Sequence, residues 1–281
     1  MSKFIRLQRM LTSSGKLTIA ALDHRGLLKK MLHPEDPEST SNEEITQWKE
    51  LMVSSYRERV SCLLIDPLYG EQLVDINAKC GWIMSLEQTG YRGGQEARVT
   101  ELIPGWDVKK IKQAGAVGVK LLLYYDPENV DLARRQRELA SKVGKECERE
   151  QMVFLLEPLT YKKSRDPYIV ERMVDELINL PVDIFKLEYP GSLEKCQRIS
   201  QKLAVPWVLL SAGADYDVYK QELETACRAG ASGMAVGRAA WQEFGRYEGG
   251  KREEFLKTIA VERIVELGKI VEQYAKPVAT T

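Results

Sequence analysis

The chain has 281 residues, 44% hydrophobic and 29% charged, and its 41 basic residues balance 41 acidic ones. A chain of this length buries about three quarters of its unfolded surface, so a single domain over residues 1–281 is expected. Zero net charge exerts no long-range pull on a polyanion, which argues against a nucleic-acid partner. No run approaches the roughly 18 uninterrupted apolar residues of a spanning helix, so no membrane partner is expected either. The opening MSKFIRLQRMLTSSG reads as an amphipathic helix without the apolar core of a secretion signal, and a cytoplasmic protein is expected. Five scattered cysteines without a C-x-x-C pair read as reduced, mostly core residues.

After that first helix, short apolar runs alternate with longer stretches of helical periodicity. The strand candidates are 17–22, 62–66, 82–87, 118–124, 152–157, 183–188, 207–212 and 234–238. Helices are expected over 42–59, 106–113, 127–149, 166–178, 192–203, 216–228 and 252–275. Such alternation predicts an α/β fold with a parallel sheet covered by helices. Eight strands favour closure into a (β/α)8 TIM barrel, with an extra N-terminal helix. Residues 88–105, rich in glycine and charge, read as a long loop after the third strand, either a lid over a site or a solvated excursion.

Side chains alternate faces along a strand, so one parity points into a barrel and the other packs on the helices. In DIFKLE (183–188), placing Phe185 and Leu187 against the helices turns Ile184, Lys186 and Glu188 inward. The same parity aims Lys120, Glu157 and Asp23 at the barrel axis. Burying such charges costs several kcal/mol unless they are paired, so a structural salt bridge is the plain alternative. Against it, Asp23, Glu157, Glu188 and Arg238 fall at the carboxyl ends of strands, where barrels of this kind hold their active sites. Two inward lysines that repel each other while desolvated are expected to be pushed toward the neutral amine that Schiff-base chemistry requires, with Lys186 as nucleophile.

An anion site is expected after the last two strands. SAGAD (211–215) and VGRAAW (236–241) put small residues at turns into helices, where backbone N–H groups and a helix N-terminus can meet a phosphate. Ser211, Gly213, Gly237 and Arg238 are the candidates. With only His24 and His33 in the chain, a zinc centre of several imidazoles cannot be assembled, and no metal or other cofactor is expected. His24 is expected to hydrogen-bond at a strand end, and His33 to be exposed.

Six segments in order, ALDHRG (21–26), AVGVKLLLYYD (116–126), FLLEPLTY (154–161), FKLEYP (185–190), PWVLLSAG (206–213) and AGASGMAVGRAAW (229–241), carry a family likeness through most of the chain. The sequence resembles the class I tagatose-1,6-bisphosphate aldolases and the related sulfofructose-phosphate aldolases. That resemblance implies a Schiff-base lysine at Lys186, an acid/base glutamate at Glu157 and a second active-site lysine at Lys120. It implies further that Asp23 and Arg25 orient hydroxyls or a far anionic group, and that Ser211, Gly237 and Arg238 bind phosphate. The implied partner is a small-molecule sugar phosphate, a ketose 1-phosphate with a second anion at C6. Its products would be dihydroxyacetone phosphate and a three-carbon aldehyde, with Glu157 taking the C4 hydroxyl proton directly or through Lys120 and water.

LLEPLTYKK and KQAGAVGVKLLLYYD look like the tagatose-bisphosphate branch, whereas KLEYP and PWVLLSAGAD look at least as much like the sulfosugar branch. Tagatose 1,6-bisphosphate and 6-deoxy-6-sulfofructose 1-phosphate therefore both stay open as substrates, as does a barrel that only senses a sugar phosphate. His24 stands where the tagatose-bisphosphate branch would be expected to carry glutamine. Homo-oligomerisation is also left open.

Overall fold

Parallel strands joined by helices close on themselves in the computed structural model, which describes residues 1–90, 98–161 and 167–279. The order begins α1 (Lys3–Gln8), β1 (Leu17–Ala21), α2 (Gly26–Leu32), α3 (Asn42–Tyr56), β2 (Cys62–Ile65), α4 (Pro67–Gly70) and β3 (Gly81–Ser85). It continues α5 (Val108–Gln113), β4 (Gly118–Tyr124), α6 (Val130–Glu150), β5 (Val153–Leu159), α7 (Pro167–Leu177), β6 (Ile184–Leu187) and α8 (Leu193–Lys202). It ends β7 (Trp207–Leu210), α9 (Tyr216–Arg228), β8 (Gly233–Val236), α10 (Arg238–Trp241), α11 (Gly250–Lys257) and α12 (Ile259–Tyr274). Each strand pairs in parallel with the next, and β8 returns to β1, giving the expected (β/α)8 TIM barrel. Among the described residues no helix is long and apolar enough to cross a membrane.

Local chemistry sets the helix starts. Ser41 accepts from the Glu44 N–H at 3.0 Å to cap α3, Asp107 caps α5, and Ser192 caps α8, each satisfying an N–H that the first turn leaves unpaired. The predicted helix over 252–275 is interrupted, because Thr258 leaves the helical region at φ −116° and ψ −83° and its hydroxyl bonds the Glu254 carbonyl at 2.6 Å. The short helices α2 and α4 were not foreseen. The start of α4 is legible afterwards as Asp66 capping with Pro67 in the first turn.

Strand parity produces two apolar layers. Leu17, Ile19, Leu64, Val153, Leu155, Ile184 and Val208 fill the barrel interior. Phe154, Phe185, Leu187, Trp207 and Met234 pack under the helices. Each such side chain, fully withdrawn from water, contributes about 1.5–3 kcal/mol. The amino end of the barrel is stoppered by Met10, just beyond α1, and by Val278, both packed onto the interior layer. Polar groups that point inward are thereby confined to the carboxyl end.

Candidate active site

The inner faces of β4, β5 and β6 carry Lys120, Glu157 and Lys186 above the apolar layer, and there a cavity of about 300 Å³ opens. Asp23, Arg25, Lys120, Glu157, Lys186, Ser211, Gly213, Gly237 and Arg238 all line it, so these nine candidates are brought to one place.

Lys120 is the hub. Its ammonium meets Asp23 Oδ2 at 2.9 Å, Glu87 Oε1 at 2.5 Å and Glu157 Oε2 at 2.8 Å, with only 2% of the side chain exposed. Burial opposes the Lys120 charge, but the three carboxylates outweigh it and hold the group well above the ordinary lysine value. For Lys120 this corrects the expectation that repulsion and desolvation would push an inward lysine toward neutrality, because carboxylates intervene and favour its charge. Lys186 lies across Glu157, its Nζ 3.0 Å from the same Oε2. Burial works against the charge on Glu157 too, yet Lys120 and Lys186 prevail and keep it below the usual carboxylate range. Asp23 is lowered likewise.

Glu87 was not singled out from the sequence, although it ends the third apolar run. Its Oε2 accepts from the Leu122 N–H at 3.0 Å, and burial with the nearby Asp23 charge moves it upward against the pull of Lys120. Glu188, read as inward, does not reach the cluster. It stands one residue beyond the end of β6, its Oε2 accepts from the Thr160 N–H at 2.9 Å and hydroxyl at 2.8 Å, and it lines a separate cavity.

On the opposite wall, Gly237 N–H donates to Ser211 Oγ at 3.3 Å, and Arg238 lies beneath the turn after β7. Gly213 there has φ +76°, and a Cβ in its place would stand 2.6 Å from Arg238 Nη1, so glycine is what lets the guanidinium approach the backbone. The adjacent Ala212 also has a left-handed backbone, φ +47°. The helix after β8 has only four residues, so the positive character of this wall comes from Arg238 and turn N–H groups rather than from the expected helix terminus.

Arg25 is buried at 7% exposure and donates from Nη2 to the Glu87 carbonyl at 2.6 Å. Its Nε and Nη1 have no hydrogen-bond partner among the described residues. His24 stacks edge-on against Trp241, and burial joined by the Arg238, Lys186 and Lys49 cations pushes its ring down to about 3, leaving it neutral at pH 7. His33, expected to be exposed, is partly so and pairs with Glu44 at 2.9 Å. Of the loop 88–105, Gln88, Thr89, Gly90 and Thr100 line the cavity, while residues 91–97 lie outside the described residues, and with them the question of a lid.

A closed barrel whose carboxyl end holds two buried lysines, their carboxylate partners and a wall bearing Arg238 has the layout of a barrel aldolase, and the family match makes the class that of an aldehyde-lyase. Residues 17–243 match the DeoC/LacD family aldolase model, and the chain belongs to that family. A tagatose 1,6-diphosphate aldolase of Staphylococcus haemolyticus is 29% identical over 97% of this chain and 96% of its own length. That of Staphylococcus aureus strain JH9 is 28% identical over the same shares. Among solved structures, a Schiff-base-forming fructose-1,6-bisphosphate aldolase matches with a TM-score of 0.70 at 18% identity, over 96% of this chain and 100% of that one. An archaeal fructose-1,6-bisphosphate aldolase, with its catalytic Lys bound to the carbinolamine intermediate, matches at 0.67 and 19% identity, over 94% and 100%. At these identities the structural likeness is one of fold.

Proposed function

We propose that the protein is a class I aldolase that cleaves a ketose 1-phosphate carrying a second anion at C6, such as tagatose 1,6-bisphosphate, through a Schiff base on Lys186. The observation that carries this reading is the Lys186–Glu157–Lys120 array, a lysine sharing a buried carboxylate with a permanently charged neighbour.

In this reading the C1 phosphate sits on Ser211, Gly213, Gly237 and Arg238, which brings the C2 carbonyl to Lys186. Glu157 accepts a proton from Lys186, the free amine adds to C2, and Glu157 returns that proton to the departing hydroxyl, so that loss of water leaves an iminium and an ionised Glu157. The iminium draws in the C3–C4 bonding electrons as Glu157 takes the C4 hydroxyl proton, and the aldehyde departs. Protonation of the enamine at C3 and hydrolysis then release dihydroxyacetone phosphate and Lys186. Lys120 carries no proton away in this scheme, which takes the direct route of the two that the resemblance left open. Its charge holds Asp23, Glu87 and Glu157 together and faces the substrate hydroxyls. The unmet N–H groups of Arg25 are suited to the anion at C6.

Borohydride reduction in the presence of dihydroxyacetone phosphate, followed by peptide mapping, tests the reading. A mass adduct on Lys186 is expected, and sugar-phosphate binding without any adduct would replace the enzyme mechanism by simple recognition. Glu157→Gln should lower kcat by about 10²–10⁴-fold, the usual worth of a general acid/base, in a protein that remains folded. The relatives named for tagatose 1,6-diphosphate favour phosphate over sulfonate at C6. Turnover of tagatose 1,6-bisphosphate beside 6-deoxy-6-sulfofructose 1-phosphate measures that preference.

A further inference from the structure

A further buried lysine, Lys49, lies outside the cavity and takes no part in the chemistry above. Lys49 occupies the apolar face of α3, between Ile45 and Met52, and is fully buried. Its ammonium makes an ion pair of 2.7 Å with Asp66 Oδ2, which is also fully buried, at the carboxyl end of β2. It donates to the His24 carbonyl at 3.0 Å and to the Leu22 carbonyl. Two of the ammonium hydrogens are thereby used on a single turn, and the charge is paired with Asp66. Asp66 is fixed in its turn, since its Oδ1 accepts from the Leu68 N–H at 3.0 Å and the Tyr69 N–H at 3.1 Å.

The turn so gripped is the one that carries the candidate residues of β1. The sheet holds this segment as far as Leu22, whose N–H donates to the Leu64 carbonyl at 2.7 Å. Beyond it the chain leaves the ladder. Asp23 lies between the two carbonyls that Lys49 holds, and its side chain turns the other way, into the cavity and onto Lys120. Arg25 follows one residue after the second carbonyl. A hydrophobic residue at position 49 would fill the same face of α3 at no electrostatic cost, and a buried ion pair is by itself a poor source of stability. What the pair supplies instead is a fixed backbone for Asp23 and Arg25.

We propose that Lys49, with Asp66 as its counter-ion, is a positioning residue that sets the β1 turn for the C6 end of the substrate. The inference rests on the aldolase reading, with the C1 phosphate held by Ser211, Gly213, Gly237 and Arg238, none of which is among the hydrogen-bond or ion-pair partners given above for Lys49 and Asp66. Misplacing Arg25 and Asp23 should therefore impair cleavage of a ketose with two anionic groups while sparing capture of dihydroxyacetone phosphate.

Lys49→Met alone strands a buried carboxylate, so the test uses Lys49→Met with Asp66→Asn, which removes both charges and keeps the Oδ1 cap of α4. Wild type and double variant are compared for borohydride-trapped adduct with dihydroxyacetone phosphate, for kcat and KM on tagatose 1,6-bisphosphate, and for thermal melting. The expected result is a loss of about 100-fold in kcat/KM, the scale of an ångström of misplacement, with adduct yield and melting close to wild type. Unchanged kcat/KM in the double variant would overturn the proposal. So would a parallel loss of adduct, cleavage and melting temperature, which marks a merely structural pair. Absence of adduct in the wild-type protein removes the aldolase reading itself, and the clamp with it.

Discussion

Lys186→Met is expected to abolish cleavage, by at least about 10⁴-fold in kcat, and to eliminate the borohydride-trapped adduct with dihydroxyacetone phosphate. An iminium needs an amine at this position, and a missing nucleophile is not offset by the groups around it. Methionine keeps the length and the apolar stem of lysine, and Lys186 is largely covered, with 6% of its side chain exposed. Glu157 keeps its ion pair with Lys120 at 2.8 Å, so the substitution leaves no carboxylate buried without a cation. Circular dichroism and melting should therefore follow the wild type. Turnover by Lys186→Met near the wild-type rate would place the Schiff base elsewhere or remove it from the mechanism.

Lys120→Met should behave differently, losing both activity and stability. Three carboxylates, Asp23, Glu87 and Glu157, converge on this one ammonium, and Lys186 reaches only Glu157. Removing one partner of a buried pair costs about 3–5 kcal/mol at neutral pH, because the charge left behind has lost its compensation. In the wild type, Asp23 and Glu157 titrate below their unfolded values. Their contribution is complete above the unfolded carboxylate range near pH 4 and is lost as pH falls through their folded values. Without Lys120 the sign reverses. Burial then raises these carboxyls above their unfolded values, the folded form binds protons more readily, and acid stabilises the variant relative to neutral pH. The gap in melting temperature between wild type and Lys120→Met should be widest at pH 7–8 and should narrow toward pH 5. A gap independent of pH would mean that packing, not charge, is what Lys120 supplies.

Parity is why so much of the site was legible in the sequence. A strand that must bury Phe185 and Leu187 under helices has no freedom in where Lys186 points, and the same holds for Lys120 beside Val119 and Leu121. The method fails where the strand does. Glu188 follows the alternation on paper but lies past Leu187, in chain no longer held by the ladder. Glu87 was passed over as the end of an apolar run, although a charge in that place is the same kind of clue as Glu157. Lys49 had a trace too, a lysine on the Ile45, Met52, Val53, Tyr56 face of α3. A single charge on a helical stripe is easily taken for a side chain that reaches past the core to solvent, and only the tertiary fold brings Asp66 to it. The Lys120 charge state was misjudged for the same reason, since the sequence shows two lysines on one face but not the carboxylates that come between them.

The stopper formed by Met10 and Val278 bears on the order of events. Among the described residues the amino end is filled by side chains, so traffic to and from the cavity uses the carboxyl end of the barrel. In the proposed reaction the fragment tethered to Lys186 stays at the bottom of this blind well while the aldehyde escapes above it. Release is then compulsory in sequence, aldehyde first and ketone phosphate second. High aldehyde concentrations should accordingly drive the tethered enamine back to ketose before water resolves it, so that the aldehyde acts as a noncompetitive product inhibitor and the ketone phosphate as a competitive one.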